Sequence, residues 1–344
     1  MHCIDKTLTN MINPPYYASD GRYDAGMKYE RCGRSGLLLP RISLGLWHNF
    51  GDVDSLARSR DMLHFAFDHG ITCFDLANNY GPSYGSAEET FGQIMKKSFA
   101  PYRDEMVITT KAGYDMWPGP YGDRGSRKYL FASLHQSLRR MNLEYVDIFY
   151  SHRFDPDTPM EETLQALVDI VRQGKALYVG ISKWPAEASQ FAYDYLAGRD
   201  VPCLIYQGRY NMMDREVEKS GILEQAARCG VGFTAFSPLE QGILTDRYLH
   251  GVPEGSRASI GKFLKADSIT PALVEKLTRL NAIAQRRGQT LAEMSLAWLL
   301  KDSRVTSVIV GSSSTAQLAD TIRCLDNLNF TPDELAEIDS VIFS

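Results

Sequence analysis

No cysteine in this chain belongs to a Cys-x-x-Cys pair. The six cysteines, Cys3, Cys32, Cys73, Cys203, Cys229 and Cys324, are irregularly spaced, which excludes the usual zinc frameworks. At 344 residues no disulfide scaffold is needed to hold a core together. The thiols are therefore expected to be reduced and the protein cytoplasmic. Long apolar runs are also missing, and none approaches the roughly 18 residues that cross a bilayer. Residues 1–17 carry Asp5, Asn13 and Pro14-Pro15 without a continuous apolar stretch, so they do not read as a signal peptide. Positive charge is not in excess: 37 Lys and Arg face 42 Asp and Glu, a net charge of −5. Neither nucleic acid nor an anionic membrane is expected as a partner. Two nucleotide signatures are absent. There is no Gly-x-Gly-x-x-Gly, and Gly261-Lys262-Phe263 lacks the spacing and hydroxyl of a Walker loop. The seven histidines form neither His-x-His nor His-Glu-x-x-His, so no metal site is expected.

What the chain has is a repeated architecture. Hydrophobic residues make up 44% of it, enough for a sizeable core. Eight short apolar runs recur, at Arg41–Gly45, Ile71–Asp75, Met106–Lys111, Tyr145–His152, Ala176–Ser182, Cys203–Gln207, Val231–Ser237 and Thr306–Gly311. They are rich in Val, Ile, Phe and Tyr, and most read as buried on both faces, as parallel strands under helices do. Helical patterns separate them. Eight strand–helix units predict an α/β fold, a closed (β/α)8 TIM barrel; a doubly wound open sheet is the alternative. An N-terminal hairpin is expected around Gly33-Arg34-Ser35-Gly36 and a terminal helix after the eighth unit. Residues 1–27 are expected to be a flexible tail, and 28–344 a single barrel domain.

Helix punctuation supports this reading. Thr158-Pro159-Met160-Glu161 and Thr331-Pro332-Asp333-Glu334 have the form of capping boxes with proline at the first helical position. Asp54 and Ser126 are expected N-caps, and Gly174, Gly198, Gly230 and Gly288 are expected helix ends. Two segments break the rhythm, Gly113–Gly125 and Glu240–Asp267. Both follow strands, on the side of a barrel where long loops carry function.

The polar residues fall at the strand ends. Asp75, Lys111, His152, Ser182, Gln207 and Ser237 end six consecutive runs, so a closed barrel would deliver them to one face. Each alone has a structural explanation: a turn cap, a salt bridge, a hydrogen-bonded histidine. Together with Tyr80 they suit carbonyl reduction. A phenol titrates near 10, too high for easy proton donation at neutral pH; a neighbouring ammonium lowers that value. Asp75 would hold Lys111, His152 would orient the carbonyl, and Tyr80 would protonate its oxygen while a hydride reaches carbon.

No side chain supplies hydride, so a nicotinamide cofactor is implied. Ser182 and Gln207 suit its carboxamide, and Phe236, beside Ser237, offers a flat surface for its ring. Gly311-Ser312-Ser313-Ser314 enters a helix containing Gln317 and Asp320, an arrangement that suits a phosphate. Arg247 and Arg257 are placed to reach a 2′-phosphate. Trp47 is a candidate wall of the substrate pocket.

At this point the sequence resembles the aldo-keto reductases. The resemblance is carried by Phe74-Asp75-Leu76-Ala77-Asn78-Asn79-Tyr80-Gly81, Thr110-Lys111, Ser151-His152-Arg153, Gly180-Ile181-Ser182, Ala235-Phe236-Ser237-Pro238-Leu239 and the stretch from Gly311 to Thr321. It runs from about Tyr29 to Val341. Within the family it is similar to the branch holding potassium-channel beta subunits and bacterial reductases of L-glyceraldehyde 3-phosphate, through Asn78–Pro82, Lys111–Gly122 and Gly125–Tyr129. The resemblance implies NADPH/NADP+ as cofactor, a catalytic tetrad of Asp75, Tyr80, Lys111 and His152, and a small aldehyde as substrate, such as L-glyceraldehyde 3-phosphate or methylglyoxal. By the same matching, cofactor positions fall on Trp47, Asp75, Ser182, Lys183, Gln207, Phe236, Ser237, Pro238, Leu239, Gln241, Gly242, Arg247, Arg257, Gly311, Ser313, Gln317, Asp320 and Thr321. Trp47, Tyr80, Trp117 and His152 are candidate substrate contacts. A homo-oligomer, tetramer or octamer, is implied in the same way. Lys183, Phe236, Asp320 and Thr321 depart from residues common at those positions. His152 stands where channel beta subunits carry asparagine, which favours a working reductase. The alternative is an NADPH-binding regulatory subunit of the channel type; a metal-dependent barrel hydrolase is a third reading.

Overall fold

The computed structural model describes residues 15–24 and 26–344. Eight parallel strands close on themselves, each hydrogen-bonded to the next in chain order and the last to the first. A separate antiparallel hairpin precedes them: β1 (Tyr29–Arg31) and β2 (Leu38–Pro40), with Tyr29 opposite Pro40. The barrel strands are β3 (Ile42–Gly45), β4 (Cys73–Asp75), β5 (Val107–Ala112), β6 (Val146–Ser151), β7 (Ala176–Ser182), β8 (Cys203–Arg209), β9 (Gly232–Phe236) and β10 (Ser307–Val310). Every residue of β3, β4, β5, β6 and β10 is buried. That is why these runs read as continuously apolar: helices cover one side and the barrel interior the other. All eight expected strands are present, shifted by no more than two residues at either end.

The helices are α1 (Leu56–Asp68), α2 (Ser86–Ile94), α3 (Arg127–Met141), α4 (Met160–Arg172), α5 (Ala186–Ala197), α6 (Glu216–Lys219), α7 (Ile222–Cys229), α8 (Arg257–Ile260), α9 (Pro271–Arg286), α10 (Leu291–Leu300), α11 (Thr315–Ile322) and α12 (Pro332–Ile342). Ser126 caps α3 by accepting from the Tyr129 amide, and Asn142 ends it in the left-handed conformation. Thr331 and Glu334 form the expected capping box of α12, with Pro332 in the first turn. Thr290 and Glu293 form a second one at α10, a signal the sequence reading passed over.

Two local expectations need correction. Ser55, not Asp54, caps α1; the Asp54 carboxylate accepts from the Gly51 amide one turn earlier. Thr158 and Glu161 form no capping box, because Pro159 itself occupies the cap position of α4 and the Thr158 hydroxyl donates to Asp155. Gly198 ends α5 as expected, with an ordinary negative φ. Part of the N-terminal segment packs against the barrel. Tyr16 stacks on His64 at 3.8 Å and donates to Asp68; Arg22 pairs with Glu105 at 2.6 Å; Met27 is buried. Residues 1–14, including Cys3, lie outside the described residues. The five described cysteines are free.

The hairpin closes the end where the strands begin. Cys32 and Leu39 join Cys73, Val107, Ile148 and Leu204 in one apolar cluster. Gly33, with a φ of +55°, passes so close to the Gly230 carbonyl that no Cβ would fit. The opposite end stays polar, and the two long loops after β5 and β9 rise around it. Among the described residues, no helix is long and apolar enough to cross a membrane.

Candidate active site

The carboxyl ends of β4, β5 and β6 meet on one side of the barrel mouth. β4 ends in Asp75 and β5 carries Lys111, whose side chains point inward and are shut off from solvent. Lys111 Nζ lies 2.6 Å from Asp75 Oδ2, 2.7 Å from the Leu76 carbonyl and 3.3 Å from the Tyr80 hydroxyl. A buried ammonium is costly unless its donors are used, and these three contacts use them. Asp75 Oδ1 accepts from the Thr109 hydroxyl at 2.7 Å and from Gln207 Nε2 at 3.0 Å. The carboxylate is thus held by three strands, and it fixes the lysine head under the phenol.

The electrostatics follow from burial and charge. Burial disfavours the Lys111 ammonium, but Asp75 and then Tyr80 outweigh it, and the lysine stays above its ordinary value. Burial pushes the Tyr80 phenol up, while Lys111 pulls it back. The expected lowering by lysine is therefore present but smaller than the desolvation that opposes it. His152, which follows β6, lies edge-on to Tyr80 with ring centres 5.9 Å apart. Burial holds its basicity well below the ordinary histidine value, and Lys111, Lys183 and Arg153 add to the effect. The imidazole is neutral near pH 7, and its Nδ1 is buried without a hydrogen-bond partner among the described residues. A neutral ring carrying one N–H can donate to a carbonyl oxygen without taking up the proton itself.

The remaining expected residues surround this group. Ser182 ends β7, with a buried hydroxyl that has no hydrogen-bond partner among the described residues. Gln207, on β8, is committed to Asp75 through its amide NH2. Phe236 ends β9, and Ser237 and Gln241 beyond it take left-handed φ values of +53° and +58°, so the chain through Pro238, Leu239 and Gly242 doubles back at the mouth. Arg257 opens α8; among the described residues its guanidinium has no hydrogen bond or ion pair, and it lies about 3.9 Å from where a Cβ on Gly311 would stand. Arg247 is exposed. Gln317 Oε1 accepts from the amide and hydroxyl of Ser313. Asp320 pairs with Arg323 at 2.8 Å, and Thr321 donates back to the Gln317 carbonyl. Trp47 lies 6.3 Å from the Tyr80 ring and 5.1 Å from Phe263. The ring contact of Trp117 is with Tyr129 rather than with the four central residues.

Three contributors escaped the sequence reading. Thr109 sits two residues before Lys111 on β5, hence on the same face, a period-two signal that was available. Tyr114 lies edge-on to His152 at 4.7 Å. Its carbonyl accepts from the Tyr129 hydroxyl, which in turn accepts from Asn78. Arg153 secures the same loop by binding the Gly113 carbonyl at 2.6 Å and Asp123 at 2.7 Å. No run of sequence links these partners. No group of three or more His, Cys, Asp or Glu among the described residues is arranged to hold a metal ion.

A carboxylate-anchored lysine beside a phenol and a neutral imidazole, at the carboxyl end of a parallel barrel, is the equipment of an oxidoreductase acting on C=O and CH–OH groups. The chain belongs to the aldo-keto reductase family, whose model matches residues 41–342. Two relatives, L-glyceraldehyde 3-phosphate reductases of Escherichia coli O157:H7 and of Escherichia coli strain K12, are each 55% identical to it over 331 residues, 95% of either chain.

Proposed function

We propose that this protein reduces small aldehydes to alcohols with NADPH, with Tyr80 as the acid. L-Glyceraldehyde 3-phosphate leads as substrate and methylglyoxal follows. The observation that carries the reading is the 3.3 Å contact between the Tyr80 hydroxyl and Lys111 Nζ, with Asp75 locked behind it. The names of the two relatives, matched over nearly the whole chain, support the triose phosphate.

The residues present fit a nicotinamide dinucleotide. Among the described residues the buried Ser182 hydroxyl has no partner, and a carboxamide would provide one. Arg257, without a carboxylate partner among the described residues, stands beside Gly311 at the start of the α11 loop, where a phosphate would be neutralised. Phe236 would face the ring; Pro238, Leu239, Gln241 and Gly242 would follow the chain of the cofactor; Ser313, Gln317, Asp320 and Thr321 would border its adenosine end. When bound, reduced nicotinamide supplies the hydride. The protein's own work is the rest. His152 donates a hydrogen bond to the carbonyl oxygen and fixes its direction. Tyr80 passes its proton to that oxygen as negative charge develops on it, and Lys111 stabilises the phenolate left behind. The balance is one hydride to carbon and one proton to oxygen, with NADPH oxidised to NADP+.

Supporting measurements are simple. Purified protein mixed with NADPH and L-glyceraldehyde 3-phosphate or methylglyoxal should consume NADPH, seen as absorbance loss, and a chelator should not slow it. Tight NADPH binding with no turnover of any aldehyde would favour the regulatory-subunit alternative. A single barrel domain over 28–344, a cytoplasmic location and a closed homo-oligomer, tetramer or octamer, complete the reading; sedimentation analysis tests the last.

A further inference from the structure

Lys183 is a mouth residue whose charge no carboxylate among the described residues neutralises. It follows Ser182 at the end of β7 with a left-handed φ of +56°, a backbone turn that lays its exposed side chain back across the opening. Its Nζ donates to the Tyr114 hydroxyl at 3.0 Å. It stands 5.2 Å from the Tyr114 ring centre and 5.1 Å from that of Phe236. Tyr114 in turn lies against His152, and the Lys183 charge reaches that imidazole strongly enough to depress its basicity. The other charges nearby are spent: Lys111 on Asp75 at 2.6 Å, Arg153 on Asp123 at 2.7 Å, Arg209 on Glu240 and on Asp214. Lys183 has a phenol hydroxyl and two ring faces, and among the described residues no carboxylate.

We infer that Lys183 is a specificity-determining residue, the cation that receives the phosphate of a short phosphorylated aldehyde while its carbonyl lies between Tyr80 and His152. The inference rests on the reductase reading and names the residue that would select a phosphorylated substrate over an uncharged one. A phosphorus three carbons along from an aldehyde lies roughly 5 Å from the carbonyl carbon by ordinary bond lengths, and one phenol ring separates the ammonium from the imidazole. A flexible, singly bound lysine can leave the Tyr114 hydroxyl and close on an anion within that reach. Cation–π contact with two rings holds the head near the opening without neutralising it.

The test compares wild type, Lys183→Met and Lys183→Arg with saturating NADPH, on glyceraldehyde 3-phosphate and on uncharged glyceraldehyde. For Lys183→Met, kcat/KM on the phosphorylated aldehyde should fall about ten- to hundredfold, mainly through KM. The ratio of the two kcat/KM values should fall about tenfold or more, and Lys183→Arg should restore most of it. Added salt should weaken the phosphorylated substrate selectively in wild type and much less in Lys183→Met. NADPH affinity, titrated by fluorescence in the same samples, separates a cofactor role from a substrate role. Equal losses on both aldehydes, or an unchanged ratio, would overturn the inference. Failure of the reductase reading shows elsewhere, as wild type turning over neither aldehyde.

Discussion

Thr109 and Gln207 grip the same oxygen. They sit on β5 and β8, and their side chains bind Asp75 Oδ1 at 2.7 and 3.0 Å, leaving Oδ2 wholly to Lys111. The ion pair is thereby held in one geometry from across the barrel, and the lysine cannot drift from Tyr80. Preorganisation of this kind lets a buried charge act on a developing charge without rearranging first.

The acid role of Tyr80 makes the sharpest prediction. Tyr80→Phe removes one oxygen and leaves the ring. Aldehyde reduction should fall by about 10²–10⁴-fold, while NADPH binding, measured by fluorescence titration, changes little. Turnover at the wild-type rate would defeat the assignment.

The Asp75–Lys111 pair predicts a split between stability and activity. Asp75→Asn leaves a fully buried ammonium without its counter-charge and should cost about 3–5 kcal/mol in urea unfolding. The double variant Asp75→Asn with Lys111→Met should recover part of that loss and remain inactive. A double variant no more stable than the single one would mean the pair is not the source of the cost.

Histidine burial sets a pH dependence. His152 is held well below its ordinary value, and His48 is pushed down to about 4 by burial, Arg257 and Lys262. In the unfolded chain both take a proton as pH falls through about 6.5; in the folded protein they resist it. The unfolded state then binds more protons, so the full stability above about pH 6.5 is progressively lost below it. Unfolding free energies of wild type and His152→Asn at pH 7.5 and 5.0 test this. The variant should lose less stability between the two, and equal losses would count against a neutral, buried imidazole.

Arg257 should choose between the two nicotinamide cofactors. Arg257→Ala is expected to raise the NADPH dissociation constant about tenfold or more, as loss of a charge-assisted contact does, and to leave NADH nearly unaffected. Equal weakening of both would place Arg257 away from the 2′-phosphate.

Much of the fold was open to reading from local pattern. Buried parallel strands need apolar residues on both faces, so β3 to β10 stand out as short hydrophobic runs wherever they lie. Caps made by one side chain on its own helix were readable where nothing competed, as at Ser126 and Thr331. They failed at Asp54 and Thr158, where a loop amide or a neighbouring carboxylate took the side chain first. The contacts of Tyr16 and Arg22 were not legible for a related reason. Their polar, proline-containing segment has no periodicity, and only α1 and Glu105 supply the surfaces that Tyr16 and Arg22 bind.

The sequence by itself determined which residues stand at the strand ends, because strand length and alternation fix where each side chain points. Asp75, Lys111, His152, Ser182 and Gln207 were therefore identifiable as one set, given a closed barrel. Tertiary structure alone decided what they do to one another. Closure brings β4, β5 and β8 onto a single carboxylate, burial outweighs lysine at the Tyr80 phenol, and the loop carrying Tyr114 settles between His152 and Lys183. Such effects depend on distance and on the exclusion of water across segments as far apart as Asp75 and Gln207, and neither quantity is written in local sequence.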